Sequence, residues 1–256
     1  MNVFTCDRLR VEIHESRAAM GLAAARAIAG AVRRLLDKNE EINMIFAAAP
    51  SQNEVLAALA ADASVDWSRI NAFHMDEYIG LSADAPQGFG NFLRRAIFDR
   101  LRFRSVSFID PTAPDAGAEA ERYAGLIRKN PPHITVMGIG ENGHVAFNDP
   151  PVADLHDPLL AKTVALDEVC RNQQVHDGCF EKLSDVPTHA VTLTVPALMA
   201  AEYAFCVVPA ATKAEAVRRT LSWPVGEACP ATALREHPNA VLYLDPDSSS
   251  LIRDLC

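Results

Sequence analysis

Apolar and polar positions along the chain follow two spacings, one typical of helices and one of strands. From Ser16 to Leu36, apolar residues recur at steps of three and four, with arginines elsewhere on the helical wheel, which predicts an amphipathic helix. Residues 42–49, INMIFAAA, form a continuous apolar run of strand length, followed by Pro50 and the helical segment NEVLAALAAD. This part of the chain therefore predicts a helix, a strand and a second helix.

The same alternation continues to the end of the chain. Further strands are predicted in SRINAFHM, SVSFID, HITVMGIG, THAVTLTV, AEYAFCVVP and NAVLYLD, each separated from the next by helical or loop sequence. Apolar strands between helices are typical of a mostly parallel sheet with helices on both faces. Since no linker or repeat divides the sequence, we predict one α/β domain over residues 1–256, with ligands bound beyond the carboxyl ends of the strands.

Composition narrows the function classes. With 256 residues, 49% of them apolar, the chain is long enough for one large core. The formal net charge of −9 disfavours a surface for nucleic acid or anionic membrane. The sequence contains no apolar run of the roughly 20 residues that span a bilayer. We expect no signal peptide, because the N-terminal residues MNVFTCDRLRVEIHES show neither an apolar h-region nor a cleavage signature. We expect a cytoplasmic enzyme without a nucleic-acid or membrane partner. The six cysteines lack C-x-x-C spacing and predict neither a zinc site nor a disulfide framework.

Two predicted strand-to-helix junctions indicate an anion site. Ser51 and Glu54 have the spacing of a capping box, as do Thr212 and Glu215. Helix starts of this kind can hold a phosphate on their free N–H groups. Lys213 in a first helical turn opposes the helix dipole, at a cost of about 0.3 to 1 kcal/mol unless an anion lies nearby. Two such starts facing one crevice predict a phosphate site; a well-capped helix and a solvated lysine are the alternatives.

A third strand end, in NAFHMDEYIGL, carries His74, Asp76 and Glu77. A carboxylate at a strand tip inside a crevice can have its pKa raised by desolvation from about 3.9 towards neutrality. Asp76 is therefore a candidate general base, able to take a proton from a carbon next to a carbonyl or imine. An exposed acidic turn is the alternative.

A fourth strand end begins the segment GIGENGHVAFNDP, residues 138–150, whose first six letters spell G-x-G-x-x-G. A dinucleotide site would need a helix after the glycines and an acidic residue further on, for which Asp167 is the candidate. Pro150 and Pro151 break any such helix within a turn or two. We interpret the segment as a catalytic loop, in which three glycines let the backbone turn tightly and approach a ligand: Gly138, Gly140 and Gly143.

His144 is the candidate proton shuttle of this loop. Asn142 and Asp149 are close enough in sequence to orient it, and a neutral imidazole held in this way suits proton transfer near pH 7. A metal site formed by His144, Asp149, Asp154 and His156 is an alternative, but its ligand spacing matches no recognised pattern.

Together these motifs resemble the glucosamine-6-phosphate deaminase family, also called glucosamine-6-phosphate isomerases. The resemblance rests on FHMDEYIGL, GIGENGHVAFNDP, THAVTLTVPALMAAE and VPAATKAEAV with the spacing between them, and it runs from about residue 15 to about residue 245. It implies a modified Rossmann-like sheet without a nucleotide, and an aldose-ketose isomerisation coupled to loss of ammonia. It also implies that neither a metal nor an organic cofactor is required.

The resemblance implies roles for the residues already singled out. The histidine that matches His144 assists opening of the sugar ring, and the residues that match Asn142 and Asp149 orient it. The aspartate that matches Asp76 moves a proton between C2 and C1, giving an enolamine that hydrolyses to fructose 6-phosphate and ammonia. The expected substrate and phosphate contacts are Ser51, Gln52, Asn53, Gly140, Gly143 and Lys213.

The chain departs from the family pattern around substrate binding. The turn AAPSQN replaces a glycine-rich one, and an arginine that many members use on the phosphate aligns with His176, which leaves Arg171 as the predicted substitute. Many members carry glutamate where Asp149 stands, and a carboxylate shorter by one methylene predicts that His144 is oriented through water.

Three functions therefore stay open. The first is deamination of glucosamine 6-phosphate or another hexosamine phosphate, the second is hydrolysis of a sugar-phosphate lactone such as 6-phosphogluconolactone, and the third is non-catalytic sensing of a sugar phosphate. Since the family includes monomers and larger assemblies, a homo-oligomer stays open as well.

Overall fold

The strands of the protein form two sheets of different character. The computed structural model describes residues 1–150, 152–176 and 178–252. The strands in these ranges are β1 Asn2–Cys6, β2 Leu9–Ile13, β3 Ile42–Phe46, β4 Ile70–His74, β5 Asp76–Tyr78, β6 Ser105–Ser107, β7 Ile134–Met137, β8 Ala161–Ala165, β9 His189–Leu193, β10 Tyr203–Val208 and β11 Ala240–Leu244. The eight-stranded sheet has the order β1-β2-β11-β10-β7-β3-β4-β6, and the smaller sheet has the order β5-β9-β8.

The large sheet is parallel except at one edge. Only the β1–β2 pair within it is antiparallel, whereas both pairs of the small sheet are antiparallel. The prediction of a mostly parallel sheet is confirmed. The segment THAVTLTV does form a strand, β9, but this strand belongs to the small sheet, and the sequence did not predict that second sheet.

Helices cover both faces of the large sheet. The α-helices of the described ranges are α1 Arg17–Leu36, α2 Asn53–Ala60, α3 Phe89–Leu93, α4 Ala116–Lys129, α5 Glu168–His176, α6 Val195–Met199 and α7 Ala214–Ser222. The predicted first helix is confirmed, and it begins where the Ser16 hydroxyl accepts a hydrogen bond from the N–H of Ala19 at 3.1 Å. None of these helices is long and apolar enough to cross a membrane.

Strand β3 shows how the two faces are filled. Met44 and Phe46 belong to one buried cluster, which includes the apolar faces of α1 and α2. Ile45, between them, belongs to a second cluster, which includes Tyr123 of α4 and Val217 of α7. Because successive side chains of a strand point to opposite faces, a run that is apolar throughout indicates burial on both sides. The predicted α/β fold is confirmed, whereas the assignment of residues 1–256 to one catalytic domain stays a prediction.

The strand order creates a crevice between β3 and β7. From β3 the chain continues outward through β4 and β6, whereas β7, β10 and β11 follow each other outward on the other side of β3. The loops that leave β3 and β7 therefore separate in opposite directions at the carboxyl ends of these strands. Ligands in open α/β sheets bind at such a switch point.

The close packing of α1 on α2 generates the first prediction. A Cβ atom at Gly21 would lie 2.4 Å from Cβ of Glu54, whereas one at Gly125, in α4, would meet nothing within 4 Å. We expect Gly21→Ala to lower the free energy of unfolding by about 1 to 3 kcal/mol, because the helices must separate. We expect Gly125→Ala to raise it by about 0.5 to 1 kcal/mol through helix propensity. Urea unfolding of both variants measures this, and equal effects would contradict it.

Candidate active site

A cavity opens at this switch point. Its open space amounts to about 770 Å³, including the part that meets solvent. The loops after β3, β4, β7 and β10 supply most of the lining. The polar and charged lining residues are Arg17, Ser51, Gln52, Asp76, His144, Gln173, Gln174, Thr212 and Lys213.

Asp76 lines the cavity as the first residue of β5. Its side chain is buried, and burial raises the pKa of Asp76 well above its ordinary value, with the nearby negative charges of Glu77 and Asp149 adding to the effect. Within the described residues, no donor forms a hydrogen bond with its carboxylate. Asp76 is therefore a buried carboxylate with raised basicity that faces the cavity, and the alternative of an exposed acidic turn is wrong.

The two other candidates at this strand end serve the surrounding structure. His74 is fully buried, its Nε2 accepts from the N–H of Ile109 at 2.8 Å, and burial lowers its pKa to about 3, so the imidazole is neutral. The carboxylate of Glu77 accepts from three backbone N–H groups, those of Tyr78, Phe89 and Gly90. Burial raises the pKa of Glu77 to about 7, and these three bonds partly oppose the rise. Glu77 thus holds the start of α3 beside the cavity.

Strand β9 connects Asp76 to the loop that carries His144. Thr192 lies opposite Asp76 in the small sheet, and its Oγ1 accepts from the N–H of Phe147 at 3.1 Å. The neighbouring carbonyl of Leu193 accepts from Nδ2 of Asn148 at 2.8 Å. Since one short strand binds both segments, it fixes the base and the loop relative to each other.

His144 is held by two oxygen acceptors. Its Nδ1 lies 2.8 Å from Oδ1 of Asn142 and 2.9 Å from Oδ1 of Asp149. Nδ2 of Asn142 donates to that same oxygen of Asp149 at 2.8 Å, and the backbone N–H of His144 donates to Oδ1 of Asn142 at 3.0 Å. Because both groups facing Nδ1 are acceptors, Nδ1 carries the proton. Nε2 is then the nitrogen that can exchange a proton with a ligand.

The shorter side chain of Asp149 does not retract from His144. The expectation that His144 is oriented through water is wrong, because the carboxylate contacts Nδ1 directly at 2.9 Å. Burial by itself would raise the pKa of Asp149, but the His144 imidazole and hydrogen bonds from His144, Asn142 and Cys170 outweigh it and lower the pKa. Asp149 therefore stays ionised and stabilises a positive charge on His144.

The glycines of the loop serve steric needs. A Cβ atom at Gly140 would lie 2.0 to 2.3 Å from ring atoms of His144, so the imidazole packs directly on the glycine backbone. Gly143 has a φ of +92°, and a Cβ atom there would lie 2.6 Å from Sγ of Cys229. Between β7 and β8 the described residues form no helix. The dinucleotide alternative therefore lacks the element it requires, and the catalytic-loop interpretation agrees with the geometry.

Both predicted capping boxes are wrong. A short 3-10 turn, Pro50–Gln52, precedes α2, which begins at Asn53 without a side-chain cap. A second turn, Ala211–Lys213, precedes α7 in the same way. The two glutamates form ion pairs instead, Glu54 with Arg17 and Glu215 with Arg218 and Arg219. Each helix begins one residue later than its capping box predicts, so Gln52 and Lys213 stand at the cap positions in place of the hydroxyl residues.

The predicted phosphate contacts are only partly brought together. Ser51, Gln52, Gly140 and Lys213 line the cavity, although Nε2 of Gln52 already donates to the carbonyl of Val207 at 3.1 Å. Asn53 is exposed and, like Gly143, is not a lining residue.

Arg171 is turned away from the cavity. Its Nη2 donates to the carbonyls of Leu183 and Val186 at 2.8 and 2.9 Å, and Arg171 is not among the lining residues. The described contacts give no support to the prediction of Arg171 as a phosphate ligand, because its guanidinium satisfies backbone carbonyls elsewhere.

Three polar lining residues were not predicted from the sequence. Arg17 lies at the cavity from the first residue of α1, and Gln173 and Gln174 approach it from α5. Oε1 of Gln173 accepts from the N–H of Glu141 at 2.8 Å. The sequence does contain a signal for Arg17, because a cation in the first turn of a helix opposes the helix dipole.

The predicted four-residue metal set does not form. In the described ranges, the group of side chains close enough to hold an ion is His144, Asp149 and Cys170, with ligand atoms within 4.8 Å of one another. Asp154 and His156 are outside it, in a turn where Asp154 accepts from the N–H of His156. Burial raises the pKa of Cys170 well above its ordinary value, and the nearby charge of Asp149 adds to the rise.

Sequence comparison identifies the family. Residues 15–243 match the family model described as glucosamine-6-phosphate isomerases/6-phosphogluconolactonase. The chain belongs to this family. A glucosamine-6-phosphate deaminase from Listeria innocua is 33% identical to it over 212 residues, which are 83% of this chain and 88% of the relative. A glucosamine-6-phosphate deaminase from Bacillus thuringiensis is 35% identical over 187 residues, 73% of this chain and 70% of that protein. Like these relatives, this family member is an enzyme.

Solved structures agree on the fold of the family. A monomeric glucosamine-6-phosphate deaminase superposes with a TM-score of 0.85 at 24% identity, covering 94% of this chain and 99% of the other. A 6-phosphogluconolactonase from Thermotoga maritima gives 0.74 at 20% identity, with coverages of 92% and 98%. At these identities the likeness establishes the α/β fold and no more.

The raised pKa of Asp76 predicts a stability effect with a definite sign. The pKa of Asp76 in the folded state lies above its unfolded value of 3.8. Ionised Asp76 therefore destabilises the fold at pH values above the folded pKa, and this destabilisation disappears below pH 3.8, where Asp76 is protonated in both states. We expect Asp76→Asn to raise Tm at neutral pH, with the gain shrinking as pH falls into the carboxylate range. The exposed Asp84 supplies the control, Asp84→Asn, which should leave Tm unchanged. A gain that grows towards acid pH would contradict the prediction.

Proposed function

We propose that the protein converts glucosamine 6-phosphate, or a related hexosamine phosphate, to fructose 6-phosphate and ammonia. The observation that carries the proposal is the pairing in one cavity of a basic carboxylate, Asp76, with an imidazole whose Nδ1 is bound to Asp149. The first group suits proton transfer at carbon and the second suits proton transfer at oxygen. The names of the family relatives support the same reaction.

Ring opening is the task of His144. The pyranose opens when the ring oxygen gains a proton and the anomeric hydroxyl loses one, and Nε2 of His144 can carry that proton between them. The ionised carboxylate of Asp149 stabilises the imidazolium while both ring nitrogens are protonated. Asn142 fixes the ring orientation through Nδ1.

Isomerisation is the task of Asp76. Its carboxylate removes the proton from C2, the C–H electron pair forms the C1–C2 double bond, and the aldehyde oxygen takes up a proton to give an enolamine. Asp76 then delivers a proton to C1, which leaves an imine at C2. Water adds to that carbon and ammonia leaves, giving fructose 6-phosphate. A carboxylate with a raised pKa is a stronger base towards carbon than an exposed one.

The same residues separate this reaction from lactone hydrolysis. A sugar-phosphate lactonase needs His144 to activate water but has no use for a base at C2. The buried Asp76, whose ionisation destabilises the fold, therefore favours the deaminase. The proposed reaction needs no metal or organic cofactor, and we expect it to take place in the cytoplasm.

An ammonia-release assay over a panel of hexosamine phosphates tests the proposal. We expect release from glucosamine 6-phosphate or from galactosamine 6-phosphate, and a loss of about 10²- to 10⁴-fold in kcat for Asp76→Asn, the range typical of a general acid–base group. Asp84→Asn should retain full activity. Turnover of 6-phosphogluconolactone without ammonia release would favour a lactonase, and tight binding of a hexosamine phosphate without turnover would favour a sensor.

Gly140 provides an independent test of His144. In Gly140→Ala the new methyl group occupies the position of the imidazole, which must move away from Asp149. We expect kcat to fall by about 10²-fold or more while the protein stays folded. Gly125→Ala is the matched control, since its methyl group meets nothing within 4 Å. Full activity of Gly140→Ala would show that the ring position does not matter for the reaction.

A further inference from the structure

The charges around the cavity leave few ways to bind an anion. The protein carries a formal net charge of −9, and Asp76 faces the same space. The cavity lining includes one arginine, Arg17, and one lysine, Lys213. Lys213 lines the cavity and is 5% exposed. A phosphate dianion must be met by these two side chains together with neutral donors.

Helix α5 does not contribute a cation. Arg171 binds the carbonyls of Leu183 and Val186, and the side chains that α5 presents to the cavity are the amides Gln173 and Gln174. A guanidinium is the group that matches a phosphate with parallel, charge-assisted hydrogen bonds. If the site contains one, it has to come from another element.

Arg17 is fixed beside the turn where the phosphate is expected. Its Nε donates to Oε1 of Glu54 at 2.7 Å, and its Nη2 donates to the carbonyl of Pro50 at 2.6 Å. Pro50 begins the turn that contains Ser51, and both residues line the cavity with Arg17. A guanidinium has five N–H donors. The two contacts use two of them, and the described residues supply no acceptor for Nη1.

The packing of α1 on α2 holds this arrangement in place. Gly21, one turn after Arg17, allows the backbone of α1 to approach Glu54, since a Cβ atom there would lie 2.4 Å from Cβ of Glu54. Glu54 is thereby fixed as the partner that orients Arg17. The guanidinium is pre-positioned before any ligand binds, which lowers the entropy cost of forming a phosphate contact.

We propose that Arg17 binds the phosphate group of the substrate, together with Lys213 and Ser51, so that α1 supplies the guanidinium. This inference rests on the proposed function in that the substrate is a sugar phosphate. Glu54 neutralises part of the charge on Arg17, so the contribution of Arg17 is mainly directional. A hydrogen bond to a charged group of this kind corresponds to about a 10- to 100-fold change in affinity.

The test compares Arg17→Gln with Arg26→Gln, which removes the same charge from an exposed position of the same helix. We expect Arg17→Gln to raise KM for glucosamine 6-phosphate by about 10- to 100-fold with a smaller change in kcat. The Ki of inorganic phosphate as a competitive inhibitor should rise in parallel, whereas Arg26→Gln should change neither constant. If Arg17→Gln stays within twofold of Arg26→Gln in both constants, the inference is overturned.

Two further measurements keep the result unambiguous. If Arg17→Gln lowers Tm, the variant Arg17→Lys is used in its place, because it keeps the charge but cannot form two parallel hydrogen bonds. We expect Arg17→Lys to have a KM between those of the wild type and Arg17→Gln, and wild-type values of KM and Ki would overturn the inference.

The second measurement is calorimetric binding of glucosamine 6-phosphate and inorganic phosphate to the wild type, Arg17→Gln and Arg26→Gln, which needs no turnover. Absence of ammonia release with Arg17-dependent binding would refute the proposed reaction alone, whereas ammonia release with Arg17-independent binding would refute the phosphate contact alone.

Discussion

The burial of three carboxylates at one end of the sheet is the constraint around which the site is built. A buried ion costs several kcal/mol unless charges or hydrogen bonds compensate it. Asp149 meets an imidazole and an amide, and its pKa is lowered. Glu77 receives three backbone N–H groups, and its pKa is about 7. Asp76 receives no donor from the described residues, and burial raises its pKa well above the ordinary value. Because their surroundings shift the pKa values of the three carboxylates differently, the carboxylates have different roles. Asp149 orients His144, Glu77 holds the start of α3, and Asp76 remains able to accept a proton.

The sequence alone predicted the parts of this site that depend on local patterns. The apolar strands β3, β4, β7, β10 and β11 were recognisable because both of their faces are buried, and the unusual residues at their ends then stood out. Strand β5 was not recognisable, because its three residues include two carboxylates and resemble an exposed turn. It becomes a strand only by pairing with β9, which is distant in sequence. That pairing, absent from any local pattern, fixes Asp76 beside the loop of His144.

The errors at the phosphate end have a related physical cause. Capping-box spacing assumes that the helix begins directly after the cap, whereas a 3-10 turn intervenes before both α2 and α7. Glu54 is then available to a residue 37 positions away, Arg17, and its partner becomes apparent only when α1 packs on α2. The carbonyls that bind Arg171 likewise belong to the segment after α5, which local spacing does not reveal. Long side chains take the partners that tertiary packing brings to them, and sequence spacing does not contain that information.

The backbone conformation at two loop residues helps to determine which side chains of this site contact each other or line the cavity. Ala146 and Ala210 have φ angles of +49° and +83°, which are costly for residues with a Cβ atom, and both line the cavity. The turn at Ala146 lies between His144 and Asp149 and lets the chain fold back, so that a carboxylate one methylene shorter still contacts the imidazole. The turn at Ala210 leads directly into the segment that carries Lys213 to the cavity. The aspartate at position 149 is therefore no sign of a weakened proton relay. The departures from the family pattern that remain lie on the side of the cavity where α5 presents the amides Gln173 and Gln174 and α1 presents Arg17.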